Sequence, residues 1–121
     1  ESEVSKLEDE FAVLMGSRYC CAVNSCGSAM FLALKGLGVR AGEKVFVNAH
    51  TLTPVPSSIV HAGAVPVFVE ADDCGLISVL DLEAKIQAHR GARVLLPDLA
   101  AQNVVELVGR SVYSRSPIMC V

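Results

Sequence analysis

The sequence predicts an α/β protein with three layers, in which helices cover both faces of a mostly parallel sheet. Three observations favour this class. Short, uninterrupted apolar runs are typical of strands that are buried on both faces, and helix-forming segments lie between these runs. In addition, Gly38, Gly63 and Gly91 each follow a helix-forming segment shortly before the next apolar run. This alternation gives βαβ units and therefore parallel pairing.

The composition of the 121-residue chain, with 52% hydrophobic and 19% charged residues, is that of one globular domain. A net charge of −3 with dispersed basic residues argues against a nucleic-acid surface. No run of eighteen apolar residues lacks a charge, so we expect no membrane span. Five cysteines without C-x-x-C spacing favour a reducing, cytoplasmic compartment over a disulfide framework. The first residue is Glu1 rather than methionine, which suggests a fragment or a processed product.

The first predicted element is an amphipathic helix that begins with a capping box over residues 5–8. A buried strand is predicted over residues 19–23, where Cys20 and Cys21 are expected to be small core residues. After a polar turn, a helix over residues 29–37 is apolar on nearly every side and should be buried on more than one face.

Three further apolar runs predict strands at residues 45–49, 64–69 and 93–96. Pro66 in the second of these indicates a strand start or a position near an edge. The intervening helices carry N-terminal signals, with Pro54 in the first turn of one and Ser78 as the cap of the other. A short helix over residues 103–109 and a loose tail complete the prediction.

The polar turn over residues 24–28 is the first candidate site. The first N–H groups of a helix lack internal partners and lie at the positive end of its dipole, so small residues there can receive a phosphate. Ser25, Cys26, Gly27 and Ser28 fit this requirement. A simple helix cap explains the same residues equally well, and neither common nucleotide fingerprint is present. Cys26 is a further candidate as a nucleophile, although no histidine is placed beside it by the sequence.

Two other segments carry polar side chains that could have a functional role. His50 should lie at the carboxyl end of a strand, where ligands of open α/β sheets collect, although a structural role is the commoner one. Glu70, Asp72 and Asp73 could hold a divalent cation, but they lack the spacing of an EF-hand loop. We therefore expect a solvated loop and assign no metal site.

Residues 19–38, 42–51 and 62–70, preceded by the first helix, resemble the DegT/DnrJ/StrS family of pyridoxal-phosphate-dependent sugar aminotransferases. The similarity to the amino-terminal part of the family's large domain covers residues 3–97 in order and spacing. It implies a truncated fold type I aminotransferase large domain over residues 1–97, followed by a divergent tail over residues 98–121. It also implies pyridoxal phosphate (PLP) as cofactor, and a homodimer that moves an amino group, usually from glutamate, onto a nucleotide-linked keto sugar.

The resemblance also implies roles for individual residues. The family pattern S-G-T-S-A holds the cofactor phosphate through its glycine and threonine, and Cys26 and Gly27 stand at those two positions. The backbone donors are kept, whereas the threonine hydroxyl is lost and Ser28 is the candidate to replace it. After the matching Thr51, Leu52 stands where the family places an aromatic residue on the pyridine ring. This exchange loses a stacking contribution of about 1 kcal/mol.

PLP chemistry requires a lysine for the Schiff base and an acid against the pyridine nitrogen. The resemblance places both beyond the end of this chain. Residues 98–102 are similar to the family's D-A-A-Q, but they contain one residue too many and come too early, so we interpret them as coincidence. We therefore assign no catalytic residue and expect the chain as given to be inactive. The alternatives are a non-catalytic relic and a phosphate-ligand binding module that uses only the turn at residues 25–28.

Overall fold

The computed structural model describes residues 2–96, which form four helices and three strands. The helices are α1 (Glu3–Met15), α2 (Cys26–Gly36), α3 (Pro54–His61) and α4 (Val79–Ala88), and the strands are β1 (Lys44–Asn48), β2 (Val65–Val69) and β3 (Val94–Leu96). The predicted helix at residues 103–109 and the predicted tail at residues 98–121 lie outside the described residues. None of the four described helices has the length and apolarity needed to cross a bilayer.

The three strands form one parallel sheet in the order β2-β1-β3. The central strand β1 is buried along nearly its whole length, and its alternate side chains point to opposite faces. Val45 and Val47 belong to the larger core cluster, which α2 and α3 cover, whereas Phe46 belongs to a second cluster on the α4 side. The prediction of a parallel sheet with helices on both faces is therefore confirmed.

Local signals set the boundaries of α3 and α4. Pro54 is the first residue of α3, where its missing N–H costs no hydrogen bond. Ser78 caps α4, because its hydroxyl accepts the Asp81 N–H at 3.3 Å. Both predicted starts are confirmed, and so is the edge position of Pro66, since β2 is an outer strand of the described sheet.

The predicted strand over residues 19–23 is wrong. β1 already has both neighbours, and residues 19–23 lie beside α1 and α2, where they line an apolar groove with Phe11 and Leu32. Within residues 2–96 the run pairs with none of the three strands, and Glu8 accepts the Ala22 N–H at 2.7 Å. The expected burial of both cysteines is also wrong, because Cys20 is half-buried and Cys21 is exposed.

Two predictions about the first helices need correction. The capping serine of α1 is Ser2 rather than Ser5, because the Ser2 hydroxyl accepts the Ser5 N–H at 3.1 Å and the helix begins one turn earlier. In α2, Met30 and Leu34 are the buried residues, whereas Leu32 is 47% exposed. Within residues 2–96, α2 is thus buried on one face, and its other side faces the groove at residues 19–23.

Asp81 makes the fold sensitive to acid. The Glu70 N–H and the Lys85 ammonium hold the pKa of the Asp81 carboxyl below its usual value. The unfolded chain lacks these contacts and binds the proton at a higher pH, so acid favours unfolding. We expect the contribution of Asp81 to the free energy of unfolding to be complete above about pH 5 and to be lost as the pH falls below about 4.

Urea titrations between neutral and acidic pH test this expectation. The variant Asp81→Asn should show a flatter pH dependence of the unfolding free energy than the unchanged chain, since it has no carboxyl to protonate. The control is Glu83→Gln, which removes an exposed carboxylate from the same helix without removing a hydrogen bond within the described residues. An unchanged slope in Asp81→Asn would contradict the assignment.

Candidate functional site

The candidate site lies at the edge of the sheet where the parallel strands end. α2 runs toward the start of β1, so its N-terminus lies at the edge where β1 finishes, and α3 begins at that edge as well. The two helix starts approach each other closely, because a Cβ added at Gly27 would lie 3.9 Å from Pro54 Cβ. Ligands of open α/β sheets bind at such an edge.

The turn at the start of α2 is held by a short chain of hydrogen bonds. Ser25 is the N-cap, with extended backbone, and its hydroxyl accepts the Ser28 N–H at 3.1 Å. The Ser25 hydroxyl donates to the Ser28 hydroxyl at 2.9 Å, which in turn donates to Asn24 Oδ1 at 2.9 Å. The proton of the Ser28 hydroxyl is thus directed at Asn24. The Ser28 hydroxyl can donate to a phosphate only if it breaks its hydrogen bond to Asn24.

Two backbone donors at the turn remain available. The N–H groups of Ser28 and Ala29 are taken by the side chain and the carbonyl of Ser25. The N–H groups of Cys26 and Gly27 have no hydrogen-bond partner among residues 2–96. Two adjacent amides at the positive end of a helix form an anion-binding arrangement.

The loop after β1 carries the other two predicted site residues. Thr51 is half-buried, and Leu52 is 73% exposed. Both directly precede α3, whose Pro54 lies against Gly27. The structure therefore brings the predicted residues from both segments to the same edge of the sheet.

A groove of about 640 Å³ runs from this turn along α2 and α3. Ser25, Ser28 and Ser57 contribute hydroxyl groups to its lining, and Phe31 and Leu32 contribute apolar surface. His61 lies in the same groove, at the end of α3. The turn thus opens into a space that offers both polar and apolar contacts.

Other candidate residues have mainly structural contacts. The ring of His50 lies beside the backbone of Gly75: a Cβ added at Gly75 would be 3.6 Å from the Cδ2 atom of His50. Asp72 organises its own loop, since its Oδ1 accepts the N–H groups of Cys74 and Leu76, both at 2.9 Å. Within residues 2–96, no group of three potential ligands could hold a metal ion.

Cys26 is exposed at the first position of α2. No hydrogen bond within residues 2–96 joins its thiol to a histidine: the His89 ring pairs with Lys44, and His50 bonds to Asn48 through its backbone N–H. Among the described residues, no hydrogen bond provides the thiol with a base, and the group that this position offers to a ligand is its N–H.

Sequence reasoning missed the part played by two asparagines. Asn24 accepts the Ser28 hydroxyl proton, and the buried Asn48 accepts the His50 N–H at 3.1 Å, where the chain turns out of β1. Asparagine side chains commonly bond to nearby polar groups in this way. An asparagine just before a helix cap, or at the last position of a strand, is the signal that could have identified both.

A parallel sheet with helix starts at its carboxyl edge is typical of α/β proteins, a class that includes proteins with a phosphate-bearing ligand at a helix start. Comparison with known proteins narrows this class. The model of the DegT/DnrJ/EryC1/StrS aminotransferase family matches residues 1–108. The chain belongs to this family, and the resemblance found in the sequence is confirmed.

Curated relatives are proteins of sugar metabolism. The chain is 40% identical over 93 residues to the spore coat polysaccharide biosynthesis protein SpsC of Bacillus subtilis. The aligned region covers 76% of this chain and 24% of that protein. It is 33% identical over 84 residues to the GDP-perosamine synthase of Vibrio cholerae. This aligned region covers 69% of this chain and 23% of the synthase. The chain thus spans about a quarter of the length of these relatives.

Solved structures agree with this assignment. DesV of S. venezuelae, in complex with a ketimine intermediate, superimposes with a TM-score of 0.73 at 31% identity, covering 91% of this chain and 31% of DesV. Spr1654 of Streptococcus pneumoniae, in its PLP form, also gives a TM-score of 0.73, at 30% identity, covering 80% of this chain and 24% of that protein. The described residues therefore have the fold of one part of a fold type I aminotransferase large domain.

Proposed function

We propose that this chain is part of a PLP-dependent aminotransferase that acts on nucleotide-linked keto sugars, and that its α2 turn holds the cofactor phosphate. The observation that carries the proposal is the pair of unpartnered N–H groups of Cys26 and Gly27 at the carboxyl edge of the sheet. The names of the relatives support the reaction class. A homodimer, an amino donor such as glutamate and a cytoplasmic location belong to the same proposal.

The residues at this edge fit PLP. Its phosphate is an anion, which matches two adjacent amide donors at a helix start. Gly27 carries no side chain that could cover these donors, and Leu52 presents an exposed apolar surface for contact with a ring. When bound, PLP supplies the electron sink of transamination, whereas the described residues of this chain would bind and orient it.

Replacing Cys26 by proline tests the amide donors directly. Proline is favoured at the first position of a helix, and Ser25 already has the extended backbone (φ −163°, ψ 156°) that a residue before proline requires. The variant Cys26→Pro therefore removes one N–H and keeps the helix. Because a hydrogen bond to a charged group contributes about 1.5–3 kcal/mol, we expect PLP to bind about ten- to a hundredfold more weakly in calorimetry.

The matched control is Cys26→Ala, which removes the thiol and keeps the N–H, and it should bind PLP like the unchanged chain. Equal loss in both variants would assign the effect to the thiol and contradict the proposed phosphate site. Titrations with pyridoxal and with nucleotides distinguish the alternatives. Pyridoxal lacks the phosphate and should bind more weakly than PLP, a preference for nucleotides would indicate a general phosphate-binding module, and no binding at all would indicate a relic.

A further inference from the structure

The outer edge of β2 is a surface that the proposed function does not use. β2 pairs with β1 through the backbone of Val65 and Val69. Because parallel pairing uses alternate residues, the backbone groups of Pro66, Phe68 and Glu70 point away from β1. An outer edge of this kind is a template on which a strand of another chain can pair.

Within the described part of the chain, residues of α4 and its cap bond to this edge, and no strand pairs with it. The Lys85 ammonium donates to the Phe68 carbonyl at 2.7 Å, and the Asp81 carboxylate accepts the Glu70 N–H at 2.8 Å. The Glu70 carbonyl accepts the Ser78 N–H, also at 2.8 Å. Three outward-facing backbone groups of the β2 edge are thus already bonded. Asp81 and Lys85 also bond to each other at 3.1 Å, which fixes both side chains over the strand.

The sequence of β2 adds a further obstacle. Pro66 faces outward and has no N–H to offer a partner strand. The remaining surface of the strand is apolar, with Val65 and Phe68 each 46% exposed. A short apolar strand without a charged residue, such as residues 65–69, is a hazard for association when its edge is open.

We propose that Pro66, Asp81 and Lys85 together close the outer edge of β2 against strand addition by a second copy of this chain. Each of the three acts on a different backbone group: Pro66 lacks a donor, Asp81 occupies the Glu70 N–H, and Lys85 occupies the Phe68 carbonyl. This role is independent of PLP binding, because the three residues lie at the β2 edge beside α4, whereas the proposed PLP phosphate site lies at the α2 turn.

Self-association of the full 121-residue chain tests the closure. The double variant Asp81→Ala with Lys85→Ala opens two backbone groups of the edge, and light scattering over a concentration series measures its association. We expect association at about tenfold lower concentration than for the unchanged chain, the effect of a small number of new backbone hydrogen bonds. Infrared spectra of the variant should show more intermolecular β-sheet than those of the unchanged chain. The Glu70 amide of the variant should also exchange its hydrogen faster.

Two further variants keep the test decisive. Pro66→Val restores an outward N–H without touching α4, so it should also increase association, even where the double variant fails to fold. Glu3→Ala with Lys6→Ala removes an ion pair of similar length, 3.0 Å, from α1, away from any strand, and should leave association unchanged. The proposal is overturned if Pro66→Val and the folded double variant associate like the unchanged chain, or if the α1 control associates as strongly as they do.

Discussion

The 121-residue chain is expected to show no transamination when it is supplied with PLP, glutamate and a nucleotide-linked keto sugar. The reason is the position of its lysines, since the reaction requires one that forms a Schiff base with the cofactor. The sequence contains four, Lys6, Lys35, Lys44 and Lys85, and the structure describes all of them.

None of the four lysines lies at the candidate site. Lys35 is in the last turn of α2 and Lys44 is the first residue of β1, so both lie at the edge of the sheet opposite the α2 turn. Lys6 is on α1, and Lys85 lies over β2. Each ammonium also has a partner of its own: Glu3 for Lys6, the Ala62 carbonyl for Lys35, His89 for Lys44, and Asp81 with the Phe68 carbonyl for Lys85.

The measurement combines turnover with covalent labelling. The chain is incubated with PLP and reduced with borohydride, and mass spectrometry then locates any modified lysine. We expect no turnover and no modification that saturates at one position. A control in which Lys6, the lysine on α1, is changed to arginine removes random labelling of that exposed side chain. Turnover by the purified chain, or stoichiometric labelling of a single lysine that is lost with its change to arginine, would contradict the expectation.

The fold class could be predicted from the sequence because local signals decide most of its elements. Pro54 and Ser78 mark helix starts through their own backbone and side-chain chemistry, and the short apolar run at residues 45–49 has the pattern of a strand that is buried on both faces. The run at residues 19–23 has the same local pattern. What separates the two is whether a neighbouring strand is available, and that information is not contained in the run itself.

The candidate site could be predicted only in part, for a similar reason. The small residues at positions 25–28 indicate a helix start, and this follows from sequence order alone. The direction of the Ser28 hydroxyl depends on Asn24, and the approach of Gly27 to Pro54 depends on how α2 packs against α3. The first of these is a side-chain bond within the turn and the second is a tertiary contact, and neither follows from the small residues themselves.

Replacing Ile59 by alanine is expected to cause the largest loss of stability among single changes in the described core. Ile59 lies on α3 with 0% of its surface exposed, in the cluster that joins α2 and α3 to β1. Its truncation removes buried methyl groups and leaves a cavity, which typically costs about 2–5 kcal/mol. The control Val60→Ala, at a neighbouring position that is 58% exposed, should change the unfolding free energy by less than about 0.5 kcal/mol.

The change Ile59→Ala should also weaken ligand binding at the candidate site, because α3 holds Pro54 against Gly27 and is preceded by Thr51 and Leu52. We therefore expect the folded fraction of Ile59→Ala to bind PLP more weakly than Val60→Ala does, as measured by titration well below the unfolding midpoint. If the alanine variant does not fold, Ile59→Val, which removes one methylene at a cost of about 0.5–1.5 kcal/mol, serves in its place. Equal stability of the buried and exposed variants would show that α3 does not anchor this edge of the sheet.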